Sequence, residues 1–416
     1  MDGGGCEGGG RSSRADESSG LHDSLETWLG HISALADEIG GRLPTSEGEA
    51  RALDYCARVL REAGLRPETD SFMSSGSVFR PHLVAAAGFL LAFVIYPAAP
   101  PLTAYVAVGM SAFFLVCEIL ELTLRPNPLH ALLPRKPSRN VFAVIEPSKG
   151  IRRDIILIGH VDTQRTPIVF RSRGWMIAYR VYSNLAFASF VVQFLAYLGG
   201  AAWGWRWPWF ASIPAAVFAL LLIALCLEAE ASPSTRGAND NATGAGLVLT
   251  LASELGSQPL SWSRVWCLCS GCEEALHEGA KSFFAAHRGQ MCKPRAVVLE
   301  MLGCDGPAWL VKEGFVFPLY SDPVLRQLAA RVASDNPDLR ARPASLSGGV
   351  TEMSDAILSG VPAITLIGLT PEGVGPHWHR RSDTVENMDP AAMLRNYRFV
   401  RALLEAMDSP EVVPGG

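Results

Sequence analysis

A disulfide framework is missing from this chain. Its nine cysteines are odd in number and spread without a pattern, which fits a reducing compartment. Cys267, Cys269 and Cys272 lie close together, but no second cluster pairs with them, and they read as small apolar residues at a buried strand. Basic excess is missing too. The 36 Lys and Arg are outnumbered by 41 Asp and Glu, for a formal charge of −5, so no nucleic-acid partner is expected. Residues 1–20 have no apolar core. They are expected to be neither a signal peptide nor a fold element, but a disordered tail. Charge is absent from Leu83 to Cys117. A run that long without a charge has no polar face to turn to water.

That run is broken by Pro97, Pro100 and Pro101 into two pieces, each near the roughly 20 residues that cross a hydrocarbon core. A second pair follows, Val181–Trp205 and Trp207–Leu227, with Arg206 and several Trp at its turn, where Trp suits a membrane interface. Two transmembrane hairpins are therefore expected, 82–124 and 181–227, four spans in all. Two buried hairpins in a soluble core are the alternative. The rest falls into 21–81, 125–180 and 228–416. Each insertion is a hairpin, so the chain re-emerges on the side it left. Arg80, Arg125, Arg135, Lys136, Arg139, Arg171, Arg173 and Arg180 flank the hairpins on that side, against Arg206 at the far turns. By the positive-inside rule the soluble part is expected in the cytoplasm.

The soluble part alternates strand-like and helix-like runs. Helical spacing covers Leu21–Ile39 and Ser46–Ala63, closed by Gly40 and Gly64. After residue 240, helices are expected at Leu247–Leu255, His277–His287, Pro323–Ala333 and Ala391–Met407. Strands are expected at Arg264–Ser270, Ala296–Met301 and Ala363–Ile367. Alternation of this kind implies an α/β fold, a sheet with helices on both faces.

Chemistry gathers at the ends of the strand-like runs. Asp154–His160 is an apolar strand ending in His160, with Asp162 two residues on and able to hydrogen-bond the imidazole's second nitrogen. The strand from Arg264 closes on the adjacent carboxylates Glu273 and Glu274, which need a positive partner or a proton. Another closes on Glu300. Asp240 lies in the small-residue turn 237–244, and His377, His379 and Asp383 follow the run at 363–367. In open α/β sheets the carboxyl ends of the strands are where ligands bind. Imidazole and carboxylate ligands favour zinc or a similar ion over magnesium. A neighbouring free carboxylate can then move protons.

The pieces His160-Val-Asp162, Asp240-Asn-Ala-Thr-Gly, Glu273-Glu274, Leu-Glu300-Met and His379-Arg-Arg-Ser-Asp383-Thr resemble, in order and rough spacing, the co-catalytic zinc aminopeptidase family. That family also contains glutamate carboxypeptidase and the glutaminyl cyclases. The resemblance runs from about residue 22 to 408, apart from the two insertions. It implies a zinc-exopeptidase-like mixed sheet, with Asp240 bridging two zinc ions. His160 and Glu300 would complete one site, Glu274 and His379 the other. Glu273 would be the general base. Glu300 stands where soluble members usually carry Asp, and Glu is also an oxygen donor. His377 is an alternative to His379, which matches the family's His followed four residues later by Asp-Thr. Asp355 sits where members line the pocket, to pair with a substrate amine or to cap a helix. The expected function is a membrane-anchored di-zinc exopeptidase acting on peptides, most simply an aminopeptidase. A one-zinc glutaminyl cyclase-like acyltransferase and a non-catalytic receptor or scaffold are the other readings.

Overall fold

A computed structural model describes residues 9–99, 101–203, 206–314 and 317–409, with side chains from residue 20 on. The helices are α1 (Gly9–Ser33), α2 (Glu47–Glu62), α3 (Phe79–Ile95), α4 (Leu102–Leu122), α5 (Arg173–Trp203), α6 (Trp207–Ala211), α7 (Ile213–Ala231), α8 (Thr243–Ser257), α9 (Glu278–His287), α10 (Pro323–Asp335), α11 (Glu352–Leu358) and α12 (Pro390–Asp408). The strands are β1 (Glu68–Ser74), β2 (Lys136–Ile145), β3 (Arg153–His160), β4 (Ser263–Ser270), β5 (Arg295–Glu300), β6 (Ala308–Glu313), β7 (Leu319–Tyr320), β8 (Arg342–Ser345) and β9 (Ala363–Ile367).

They form one mixed sheet in the order β1-β2-β4-β3-β5-β9-β6-β7, with β8 beside β6. The middle four strands, β4, β3, β5 and β9, are parallel, so their carboxyl ends share one edge. Strand β3 is buried along its whole length, and its side chains alternate between two cores. Ile155 and Leu157 pack with Trp28, Leu53, Leu249 and Phe399. Ile156 and Ile158 pack with Trp266, Phe283 and Met353 on the other face. This is the expected sheet with helices on both faces.

Helix α8 sits hard against the sheet. A Cβ on Gly159 would come within 2.5 Å of the Gly244 backbone, and one on Gly244 within 2.2 Å of the Leu299 carbonyl oxygen. Two glycines thus let the start of α8 approach β3 and β5 one residue before His160 and Glu300.

Several boundaries differ from expectation. Residues 1–8 of the expected tail lie outside the described residues, but 9–20 are helical, continuous with α1. Once Trp28 and Ile32 are docked the nucleus exists, and each added residue gains a hydrogen bond whatever its polarity. Helix α3 has 17 residues and starts at Phe79. Helix α5 has 31 and starts at Arg173, so Arg173 and Arg180 belong to the helix and not to the segment before it. Pro100 and Trp205 lie outside the described residues.

The two helical hairpins are not independent. Phe89 stacks on Phe190 at 4.1 Å and Tyr96 on Tyr197 at 4.2 Å. Helix α3 packs on α7 as well as on α4. The interior is built largely of small residues, among them Ala86, Ala186, Ala215 and Ala219. Large apolar side chains, including Leu91, Val94, Val192 and Leu220, face outward. Three of these helices are long and apolar enough to cross a membrane.

Candidate active site

Four parallel strands deliver the candidate residues to one place. His160 is the last residue of β3 and Glu300 the last of β5. Glu273 and Glu274 follow β4, and His379 follows β9 after a loop. Asp240 enters on the connection from β3 to α8. Strand β3 has β4 on one side and β5 on the other, the switch point where such sheets open a crevice.

Asp240 stands at the centre. Its Oδ1 lies 3.4 Å from His160 Nε2, and its Oδ2 lies 3.2 Å from His379 Nε2. Glu300 Oε2 is 3.5 Å from the same His160 nitrogen, and Glu274 Oε1 is 3.1 Å from the same His379 nitrogen. His160, Asp240 and Glu300 form one trio able to hold a metal ion; Asp240, Glu274 and His379 form another. Asp240 Oδ2 accepts no hydrogen bond of regular geometry although it is buried. A divalent cation fits such a donor set, which is oxygen and imidazole throughout. His377 belongs to neither trio; its Nδ1 meets the Ser382 hydroxyl at 2.8 Å.

The electrostatics show a surplus of negative charge. Burial opposes ionisation of Asp240, but hydrogen bonds to His160 and His379 overcome it and hold its carboxyl well below the usual range. Burial pushes Glu274 up to about 7, with the His379 charge opposing. Burial likewise raises Glu300 well above its usual value against His160. For His379 burial works downward, and Glu274 with Asp240 outweighs it, giving about 10. Carboxylates crowded this closely retain protons unless another positive charge is supplied.

The surrounding residues fix these groups. Asp162 Oδ1 and Oδ2 accept the backbone N–H groups of Glu273 and Glu274 at 3.1 and 2.9 Å. Its carboxylate therefore holds the glutamate pair. His160 Nδ1 lies nearer the Asp162 backbone carbonyl, at 3.1 Å, than the carboxylate, at 3.5 Å. The expected orienting carboxylate is thus in large part a backbone contact, because the turn after β3 aims the side chain at β4. Asp383 accepts the amides of Asn239 and Asp240. Asn241 donates to Glu300 Oε2 at 3.1 Å.

Three supports were not visible in the sequence. Arg42 is fully buried and donates to the carbonyls of Leu35, Gly40, Val161, Arg236 and Gly237, tying the loops that carry Asp162 and Asp240. Glu49 accepts the Cys272 amide at 2.7 Å and the Ser138 hydroxyl at 2.8 Å. His277 Nε2 lies 3.3 Å from Glu273 Oε1, while its Nδ1 meets Asp355 at 2.5 Å. Asp355 therefore neither caps α11, which Thr351 does, nor stands free for an amine. An Arg in a polar surface-like stretch and a His at a helix start carry no signal of these contacts.

Strain collects here. Cys272, His277, Met301, His377 and His379 have φ between 47 and 63°, a left-handed region costing each about 1–3 kcal/mol. All lie within three residues of a candidate ligand.

Peptidase family M28 matches residues 221–404. No curated protein matches the chain in sequence. Among solved structures, the fold is shared with a Tannerella forsythia glutaminyl cyclase at TM-score 0.51 and 14% identity, covering 92% of this chain and 98% of that one. A Bacteroides thetaiotaomicron leucine aminopeptidase precursor matches at 0.53 and 13%, covering 92% and 96%. A Zn-dependent exopeptidase from Parabacteroides distasonis matches at 0.51 and 12%, covering 90% and 96%. The solved structures share the fold of this chain, and the match over residues 221–404, which includes Asp240, Glu273, Glu274, Glu300 and His379, makes this part of the chain similar to Peptidase family M28, in keeping with the histidines and carboxylates gathered about Asp240.

Proposed function

We propose that this chain is a membrane-anchored, two-zinc exopeptidase, most simply an aminopeptidase, with its site on the cytoplasmic side. The observation that carries the reading is Asp240, whose two oxygens face two different imidazoles across two complete trios. A one-zinc cyclase has no need of both. His160 and Glu300 would hold one ion, Glu274 and His379 the other, with Asp240 shared. When bound, zinc supplies Lewis acidity, polarising a carbonyl and making water more acidic.

The protein's own part is proton movement and position. Glu273 Oε2 faces the centre, 3.8 Å from His160 Nε2, and Oε1 faces His277. The inner oxygen is the proton acceptor from water and the donor to the leaving amine, and His277 with Asp355 holds the outer one. Asp162 positions the backbone that presents the pair.

Membrane anchorage is supported by the inside-out helix bundle, small residues within and large apolar ones without. With no hydrophobic drive between helices in lipid, close packing of small residues is what remains. Helix α5, with 31 residues, is about 46 Å long and exceeds the hydrocarbon core, leaving Arg173 and Arg180 in turns that project on the catalytic side. The root of this hairpin touches the site. Phe170 packs edge-on to His379 at 4.3 Å, and its carbonyl accepts from Arg380. Trp175 is exposed there. Tyr182 donates to the Phe218 carbonyl within the bundle, with Tyr179 stacked on it, so an entrance would be formed by Phe170 and Trp175. Hydrolysis of N-terminally free peptides by purified protein, abolished by a chelator and restored by zinc, tests the reading; cyclisation of N-terminal glutamine without hydrolysis would replace it with the cyclase.

A further inference from the structure

We propose that the cavity behind Glu274 is a carboxylate site, taking the acidic group of a short peptide whose scissile bond lies at the metal centre. The proposal rests on the exopeptidase reading above and names its substrate class.

Glu274 is the partition between two spaces. Its Oε1 faces His379 at the centre, while Oε2 accepts from Gln164 Nε2 at 2.9 Å. Both Glu274 and Gln164 also line a cavity of about 180 Å³. Three cations stand in its wall, Arg80, Lys136 and Arg165. They come from separate elements: the first turn of α3, the start of β2 and the loop after β3.

Two of these three charges are not neutralised locally. Arg80 is paired with Glu230 at 3.1 Å. Arg165 donates to the Ser232 carbonyl at 2.8 Å, a neutral partner. Among the described residues neither Arg165 nor Lys136 has a carboxylate within ion-pair distance. A Glu274 engaged at the metal centre cannot serve them. Two unmatched cations in a partly enclosed pocket favour an anion, and Arg presents a fork suited to a carboxylate.

Size narrows the ligand. Pockets that enclose whole drug-sized ligands run to about 300–1,000 Å³, so about 180 Å³ admits one residue's end and no chain beyond it. The acidic group therefore lies close to the scissile bond. It is either the C-terminal carboxylate of a di- or tripeptide or an acidic side chain next to the bond. Arg80 begins the first hairpin, and Glu230 and Ser232 end the second. The hairpins thus help to build the pocket in addition to anchoring the chain.

The test uses full-length, zinc-loaded protein in detergent and two matched peptide pairs. Leu-Ala against Leu-Ala amide reads the C-terminal carboxylate. Leu-Glu amide against Leu-Gln amide reads an acidic side chain. One pair should show a KM at least about tenfold lower for the acid, the scale of one charge-assisted contact. Lys136→Gln and Arg165→Gln should each bring that ratio toward one. Equal KM values in both pairs, or a preference that survives in both variants, would overturn the proposal. Calorimetric binding of the same peptides to the Glu273→Gln protein gives a readout without turnover. If none of the peptides is hydrolysed, the peptidase reading fails, and the calorimetric ratio still decides the pocket.

Discussion

His277 and Asp355 form a buried pair, Nδ1 to Oδ2 at 2.5 Å, and the opposite nitrogen of the same ring lies 3.3 Å from Glu273. Burial would lower the His277 pKa, but Asp355 first and Glu273 after it raise it well above the ordinary value. A charged imidazole fixed on one side by Asp355 thus holds the outer oxygen of the proposed base. His277→Gln is expected to keep its metal and to lower kcat about ten- to a hundredfold with little change in KM, as expected for a contact that matters in the transition state. Asp355→Asn should do the same. A purely structural role would instead lower zinc content and Tm together with kcat.

Metal content separates the ligand roles. Elemental analysis should find two zinc ions per chain, and Asp240→Asn should lose both. Glu273→Gln should retain both ions and lose about 10²–10⁴ in rate, the usual worth of general-base help. A Glu274→Gln protein that retains both ions while a Glu273→Gln protein loses one would reverse the two assignments.

Glu352 makes stability depend on pH. It is 1% exposed, and neither oxygen accepts a hydrogen bond of regular geometry, although Ser270 lies beside it. Burial raises its pKa from 4.5 to about 8. The folded state keeps this proton where the unfolded chain has lost it. Its contribution is therefore complete below pH 4.5 and is lost as pH rises toward 8, by up to about 1.4 kcal/mol per pH unit. Glu352→Gln should have nearly the wild-type Tm at pH 5.5 and a higher one at pH 8.5. Parallel pH profiles for the two proteins would show that Glu352 does not titrate in this range.

Topology is read with reporters. A fusion after Gly416 that fluoresces only in the cytoplasm should be bright, and a periplasmic reporter there silent. The joint bundle adds a second expectation. Replacing 173–231 by a Gly/Ser linker removes Phe190 and Tyr197 from Phe89 and Tyr96, so the first hairpin should become protease-sensitive. Undiminished resistance would mean that each hairpin stands alone.

The two glycines under α8 set a limit on the fold. Gly159→Ala forces a Cβ to within 2.5 Å of backbone that cannot retreat. It should cost at least about 1–3 kcal/mol, seen in denaturant melts of the zinc-free protein. A change of a few tenths would show that α8 can shift away from β3.

The sequence by itself determined the four central strands and the residues at their ends, because apolar strand patterns and punctuating His, Asp and Glu are local signals. It also determined the two apolar helical pairs, since uncharged runs such as 83–117, 181–205 and 207–227 can be read without a partner. Contacts between distant segments were decided only by the tertiary structure. Asp162 looked like a partner for the histidine two residues before it, yet its carboxylate holds amides more than a hundred residues away. Arg42, Glu49, His277 and the cations around Glu274 carry no periodicity, and their partners come from loops whose approach depends on the sheet order. Local propensity fixes which elements form. Burial of opposite faces against one sheet, which no short stretch encodes, fixes which side chains meet.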